Sequence, residues 1–325
     1  MADNNQYHQK WPKENEFYSN QPRINTQPET FSTYQQVKVR RRPRRSRKQG
    51  CRPNCLGILI FISILAVPIF CSVIYFLLPF QTNILILGID YVNPPSYAAR
   101  TDTIILTTFK PLKHYIGFLS IPRDLWVNIP EVGENRINTA HFFAEASEPG
   151  SGPQASIETI KANFNLDIDH YIRVRFEGFR EVVDAMGGVD IYLSEPMAGY
   201  SPGNYHLTGG KALAFVRHRM GEDDFYRMEH GQLMIKSIIK QMMRPSKLVR
   251  LPLVLRALFR SVDTDIPIWL WPRLAFMVLR LGTDGIDNRT INRDMVTPFT
   301  TSEGAQVLAP NWELINPVVD EIFRK

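Results

Sequence analysis

The chain has three cysteines in 325 residues, and none lies beyond Cys71. A disulfide framework is therefore excluded for most of the chain, and a packed core must hold it. Cys51 and Cys55 stand one residue too far apart for a zinc knuckle or a redox pair, and no second half follows. A second membrane span is also missing, because the charge-free stretches within residues 245–281 are too short to cross a bilayer. No Ser, His and Asp occur in a recognisable triad context, which argues against a serine hydrolase. No internal repeat and no helix-turn-helix pattern is present.

Positive charge is plentiful but unevenly placed. Residues 1–55 hold 12 Lys/Arg against 4 Asp/Glu, so a net charge of +6 for the chain leaves −2 for the remainder. The basic pI belongs to the tail. That tail is rich in Asn, Gln, Pro and Ser and has too few aliphatic residues for a core, so residues 1–55 are expected to be disordered. It closes on Lys38-Val39-Arg40-Arg41-Arg42-Pro43-Arg44-Arg45-Ser46-Arg47-Lys48. Residues 56–78, LGILIFISILAVPIFCSVIYFLL, follow without a charge over 23 positions. At 1.5 Å per residue they cross a hydrocarbon core of roughly 30 Å. A cleaved signal peptide would have a shorter apolar region and no long polar tail before its basic one. The expectation is a single-pass cell-membrane protein, its basic N-terminus cytoplasmic and residues 79–325 outside.

After Pro79 the pattern turns globular. Asn83–Ile89, Thr103–Phe109, Tyr115–Ile121 and Val189–Leu193 read as strands. Ala155–Phe164 and Phe176–Met186 read as helices, the second stopping at Gly187-Gly188. Strands mixed with helices predict an α/β domain whose central sheet is sandwiched between helices. Residues 245–281 read as packing helices of the same domain, with lying against the membrane as the minority reading. Residues 310–323 read as a closing helix with Pro317 at a kink.

Charges recur where the predicted strands end, the usual place for ligands in such sheets. Asp90 follows the first strand, Arg100 and Asp102 precede the second, and Arg123-Asp124 follows the third. Arg136-Ile-Asn138 closes the next loop. Residues 212–232, ALAFVRHRMGEDDFYRMEHGQ, add Arg217, Arg219, Asp224, Arg227 and Gln232. If the segment is extended, Arg217 and Arg219 share one face and His218 points away; in a helix they diverge. Asp224 and Arg227 share a face on a helix. Guanidinium forks in this number suit a dense anion, above all phosphate; an ion-pair network is the plainer alternative.

The succession Asn83-Ile-Leu-Ile-Leu-Gly-Ile-Asp90, Ala99-Arg-Thr-Asp-Thr-Ile104, Leu119-Ser-Ile-Pro-Arg-Asp124, Arg136-Ile-Asn138, Val182-Val-Asp-Ala-Met-Gly-Gly-Val-Asp190, Leu207-Thr-Gly-Gly-Lys-Ala-Leu-Ala-Phe-Val-Arg-His-Arg219 and Asp224-Phe-Tyr-Arg227 resembles the LytR-CpsA-Psr family of bacterial cell-envelope proteins. The resemblance covers residues 83–243. It implies a mixed sheet between helices with an apolar channel for a lipid tail. It also implies a phosphotransferase that moves a glycopolymer from a polyprenyl-pyrophosphate carrier onto peptidoglycan through a phosphodiester. By resemblance, Asp90 and Asp102 match the family's Mg²⁺-binding acids. Arg100, Arg123, Arg136, Arg217, Arg219 and Arg227 match its pyrophosphate-binding basic residues; Arg123, Arg217, Arg219, Asp224 and Arg227 are expected to be catalytic, and Arg100, Arg136 and Gln232 to bind the pyrophosphate substrate. Arg136 stands where many members have Lys, and Tyr226 replaces a Gly in the family's Asp-Phe-Gly-Arg.

The residues agree with that implication. Mg²⁺ takes carboxylate and phosphate oxygens and rarely needs an all-protein cage. Phosphoryl transfer leans on positioning and charge neutralisation more than on a covalent nucleophile. Expected partners are the lipid-linked glycopolymer, the peptidoglycan acceptor and membrane lipid; nucleic acid is not expected. Other readings stay open: a membrane-tethered transcriptional regulator, supported by the basic tail alone, a binding or scaffold protein that has lost catalysis, and a lipid pyrophosphatase.

Overall fold

The computed structural model describes residues 55–77, 80–90, 98–218, 224–282 and 285–324. Residues 1–54 of the tail expected to be disordered, and Arg219, lie outside the described residues; Cys55, the last residue of that tail, opens α1. In chain order the elements are α1 (Cys55–Leu77), β1 (Thr82–Ile89), β2 (Thr101–Lys110), β3 (Tyr115–Ile121), β4 (Trp126–Ile129), β5 (Gly133–Arg136), α2 (Thr139–Ser147) and α3 (Gly152–Phe164). They continue with β6 (His170–Arg175), α4 (Phe176–Met186), β7 (Val189–Leu193), β8 (Gly203–Leu207), α5 (Gly209–Arg217) and α6 (Asp224–Met242). The C-terminal part holds α7 (Leu251–Ser261), β9 (Val262–Thr264), α8 (Trp271–Leu281), β10 (Ile286–Thr290), β11 (Val296–Thr300), β12 (Gln306–Pro310) and α9 (Trp312–Val319).

α1 is one uninterrupted helix despite Pro68, and its described side chains are largely exposed. Among the described residues it is the single helix long and apolar enough to cross a membrane. Exposed Ile, Leu, Phe and Val side chains along its length would be untenable in water, so an apolar solvent suits them.

The central sheet runs β10-β3-β2-β1-β6-β9. β1 pairs antiparallel with β2 and parallel with β6, and β3 joins antiparallel β2 to parallel β10. Register places Leu85 against Leu106 and Leu106 against Leu119, with Ile86 opposite Ile105. Alternate residues therefore feed two cores. One face carries Leu85, Leu87, Ile104, Leu106, Leu119 and Ile121 against Ile160 and Phe164 of α3 and the C-terminal Ile315, Val319 and Ile322. The other carries Ile84, Ile105, Ile116 and Phe118 against Leu274 and Met277 of α8, with Ile235 and Ile239 of α6. Burial of both faces explains why β1 reads as a continuous apolar run and not as an alternating one.

α4 ends as its glycines require. Gly187 takes φ +79°, and the Gly188 amide donates to the Val183 carbonyl at 2.9 Å. The left-handed cap turns the chain into β7. A third core of Val183, Val189, Ile191, Leu207, Ala212, Phe215 and Met234 unites α4, the β7–β8 hairpin, α5 and α6. α5 crosses α4 closely, because the Gly209 amide donates to the Asp184 carboxylate at 2.7 Å. At the other end of the chain, Pro317 lies within α9, and the backbone widens into a π-helical turn over Asp320–Arg324. The proline leaves the helix without one amide donor.

A Cβ at residue 209 would sit 2.2 Å from the Arg180 carbonyl oxygen, a backbone atom that cannot swing aside. Gly209→Ala should push α5 off α4 at a cost of about 1–3 kcal/mol. Thermal unfolding of the variant is the measurement, and an unchanged midpoint would show that the crossing is looser than this.

Candidate functional site

The site forms at the end of the sheet where β1 and β3 finish and β2 begins. The β1–β2 ladder pairs Gly88 with Thr103 and Ile89 with Thr101, so Asp102 is skipped in the register. Such a bulge re-aims a side chain away from the regular pleat. The Asp102 carboxylate accepts from Arg123 Nη1 at 2.5 Å and lies 3.6 Å from Arg227 Nη2. Arg227 also donates to the Asp102 carbonyl at 3.3 Å.

Arg123 follows β3 through a turn closed by the Leu125 amide on the Pro122 carbonyl. The strap after β5 returns beside it, with the Ile137 amide on the Leu125 carbonyl at 2.8 Å and the Asn138 amide on the Arg123 carbonyl at 3.3 Å. This brings Arg136 to Asp124 at 3.3 Å, while Asp124 also lies 3.4 Å from Arg123 Nε. Arg136 Nη2 donates to the Gln306 carbonyl at 2.8 Å. Asp102, Arg123, Asp124, Arg136 and Arg227 thus form one connected set.

Arg217 occupies the last turn of α5 and pairs with Asp90 at 2.8 Å. The extended alternative for Ala212–Arg217 is not what forms. The apolar residues 212, 215 and 216 instead face inward at helical spacing, and the chain becomes extended only at His218. The Arg217 guanidinium lies over the Phe176 ring at 5.2 Å. Phe176 also lines a cavity with Asp102, Ile104, Ile121, Val216, Arg227 and Met228. Through it the two ion-paired groups border the same hollow.

The other expected residues stand differently. Arg100 lies over the Phe142 ring at 5.8 Å. Gln232 sits on α6, one turn past Arg227, and its amide faces Ser120 Oγ at 2.9 Å, the Arg289 carbonyl at 2.9 Å and Thr290 Oγ1 at 2.6 Å. It ties α6 to β3 and β10 and lines a second, apolar cavity with Ile105, Phe118, Ile235 and Ile286. Arg219 lies outside the described residues, as does the side chain of Asp224, which opens α6.

Sequence reasoning missed the supports. Phe176 and Phe142, which carry Arg217 and Arg100, show no motif of their own. A buried network also escaped notice. The fully buried His141 on α2 donates from Nδ1 to the Ala99 carbonyl at 2.8 Å, and its Nε2 accepts from Arg173 at 3.2 Å. Arg173 also meets Glu145 and, at 2.6 Å, Asp263. The network pins the backbone immediately before Arg100.

Among the described residues no cluster of three or more His, Cys, Asp or Glu could enclose a metal. Asp90 and Asp102 are two carboxylates at one rim, each facing an arginine. They fit a hard divalent cation only where phosphate oxygens and water complete its shell, which is the usual habit of Mg²⁺. Chemically the arrangement is an array of forked cations held in place by carboxylates, opening onto apolar walls. It suits an anionic head carrying an apolar tail.

These features define an α/β domain with clustered arginines and carboxylates at one sheet end. A model of the LytR_cpsA_psr family matches residues 80–315, and the chain belongs to that family. Among curated relatives it is 35% identical over 190 residues to the polyisoprenyl-teichoic acid–peptidoglycan teichoic acid transferase TagU of Oceanobacillus iheyensis, covering 57% of this chain and 58% of the relative. It is 33% identical over 195 residues to TagU of Halalkalibacterium halodurans, covering 57% and 60%. The chain thus spans about three-fifths of the length of these relatives. In fold it is similar to B. subtilis TagV, at TM-score 0.63 and 23% identity over 76% of this chain and 98% of that one. TagT bound to LIIa-WTA aligns at TM-score 0.61 and 20% identity over 75% and 90%.

His141 yields a pH prediction. Burial pulls its pKa below the ordinary 6.5, Arg173 pulls the same way, and the Ala99 carbonyl and Glu145 oppose. A depressed native pKa means that the unfolded chain binds more protons below pH 6.5. The neutral ring's contribution is complete above that pH and is lost as pH falls through the native value. Unfolding temperature should therefore fall less steeply below pH 6.5 in His141→Gln than in wild type. Parallel profiles would remove His141 from the account.

Proposed function

We propose that the protein is a membrane-anchored phosphotransferase that moves a glycopolymer from a polyprenyl-pyrophosphate carrier to peptidoglycan. The observation that carries this reading is the junction of the arginine array with apolar cavity walls. Asp102 and Arg227 meet Ile104, Ile121, Val216 and Met228 in one hollow. Ile105 belongs to this hollow and to the next, where Phe118, Ile235 and Ile286 continue the apolar lining. A pyrophosphate suits the first end and an isoprenoid the second. The transferase names of the TagU relatives support the reaction class and suggest a teichoic-acid type of polymer.

In this reading Arg123, Arg217 and Arg227 exchange carboxylate partners for phosphate oxygens. An acceptor hydroxyl oxygen attacks the sugar-linked phosphorus. The bond from that phosphorus to the bridging oxygen breaks, polyprenyl phosphate leaves, and the hydroxyl proton is released. Fixed guanidinium forks neutralise charge where it builds on the leaving phosphate, a preorganised effect that often dominates catalysis. Arg219, Arg100 and Arg136 extend the positive field. Mg²⁺, when bound at Asp90 and Asp102, would supply further neutralisation of the pyrophosphate. The basic tail supports a cytoplasmic N-terminus and an outer domain, where peptidoglycan is the abundant hydroxyl donor.

Three measurements test this. Purified full chain with lipid-linked glycopolymer, Mg²⁺ and peptidoglycan fragments should give a phosphodiester adduct. Arg217→Lys, which keeps charge but loses the fork, should lower the rate by about 100- to 1000-fold. Free sugar phosphate formed equally with and without acceptor would make the protein a pyrophosphatase instead. Asp90→Ala and Asp102→Ala should each abolish the Mg²⁺ dependence of lipid-pyrophosphate binding in a folded protein. Unchanged metal dependence in both would remove the metal assignment. A reporter joined after Lys325 should be active only in a form that works outside the cytoplasm, and cytoplasmic activity there would reverse the orientation.

A further inference from the structure

The end of the sheet opposite the site is apolar on its outside. Phe80 precedes β1 and is 63% exposed, Leu112 in the β2–β3 turn is 64% exposed, and Ile268 and Trp269 before α8 are each 68% exposed. Phe276 and Leu279 continue this surface on the outer side of α8. Register fixes their common location. Thr82 pairs with Phe109, Lys110 with Tyr115, and Ile116 with Ile286, so the start of β1, the β2–β3 turn and the start of β10 share one end. Leu112 and Phe276 line one concavity with Pro111, Met277 and Leu281.

A monomeric soluble domain rarely leaves such a patch uncovered. Three observations identify what covers it. The apolar helix α1 ends at this side, and its Tyr75 hydroxyl donates to the Trp269 carbonyl. Arg273, buried on α8, donates to the Phe80 carbonyl at 3.1 Å, so α8 is tied to the chain that leaves α1. The charge is also one-sided. Lys113 and Arg280 flank the patch, and neither residues 266–283 nor 108–117 contain an Asp or Glu. Acids on either side are engaged elsewhere, Asp263 by Arg173, Asp265 by the Tyr171 amide and His170, and Asp287 by Tyr115 and Arg289.

We infer that this surface lies against the anionic lipid bilayer that α1 spans, with Trp269, Ile268 and Phe276 seated at the headgroup level and Lys113 and Arg280 on lipid phosphates. Tryptophan beside cations is the side-chain chemistry of that interface. The inference rests on reading α1 as a membrane anchor, and it adds that the domain is docked and not merely tethered.

The test uses the full chain reconstituted into vesicles of phosphatidylcholine and phosphatidylglycerol, with acyl chains brominated near the headgroup. Flotation in the same samples reports anchoring separately. Trp269→Phe, compared with wild type, isolates the emission of that residue from the remaining tryptophans. The expected result is a quenched Trp269 component in brominated vesicles that aqueous iodide does not reach. Lys113→Glu with Arg280→Glu should weaken that quenching while the protein still floats. A chain that floats but whose Trp269 component is quenched by iodide and not by bromine overturns docking and leaves the anchor intact. Shielding from both quenchers would mean that a second copy covers the patch, which also overturns it. Failure to float would remove the anchor reading and the docking with it.

Discussion

Everything at the site depends on the neutralisation of clustered guanidinium groups by carboxylates. Several arginines at one sheet end repel one another, and the fold brings them together only because Asp102, Asp124 and Asp90 stand between them. Asp102 is the pivotal member. It is released from the ladder by a one-residue irregularity and takes Arg123 from β3 on one side and Arg227 from α6 on the other. The pairs around Asp102 are partly buried and so are screened less than surface bridges, whereas Arg217–Asp90 is exposed. They hold the forks oriented toward one sheet end.

The two faces of the sheet divide the labour. One is filled by α3 and the C-terminal segment, with Phe164, Ile315 and Phe323 almost wholly buried. The other is covered by α6 and α8, and a cavity lined by Ile105, Phe118, Ile235 and Ile286 remains there. Gln232 lines that cavity and joins α6 to β3 and β10.

Much of the scaffold was legible because its signals are local. Tyr115–Ile121, Phe176–Met186 and Val189–Leu193 occupy the ranges their residues suggest, and Thr82–Ile89 and Gly152–Phe164 differ only at one end. The charged residues at strand ends were legible for the same reason. What could not be read was their pairing. Arg217 and Asp90 lie 127 positions apart, and no spacing rule joins them. The run before Arg217 is short and apolar, so strand and helix fit it equally until the third core selects the helix. The irregularity that frees Asp102 depends on how two strands register, which neither strand carries alone. The buried His141–Arg173–Glu145 network was invisible because each residue in isolation resembles ordinary surface polarity.

β1 also acts as a ruler. Its eight residues, at about 3.3 Å each, separate its ends by roughly 26 Å. Phe80 and the end of α1 lie at one end, Asp90 and the arginines at the other. With the first end at the bilayer, the second stands off it by the length of one strand. On the function proposed above, a carrier lipid would stretch its isoprenoid along the sheet to present its pyrophosphate. On the same reading, lengthening or shortening that strand would change the height above the membrane at which the site works before it changed any chemistry.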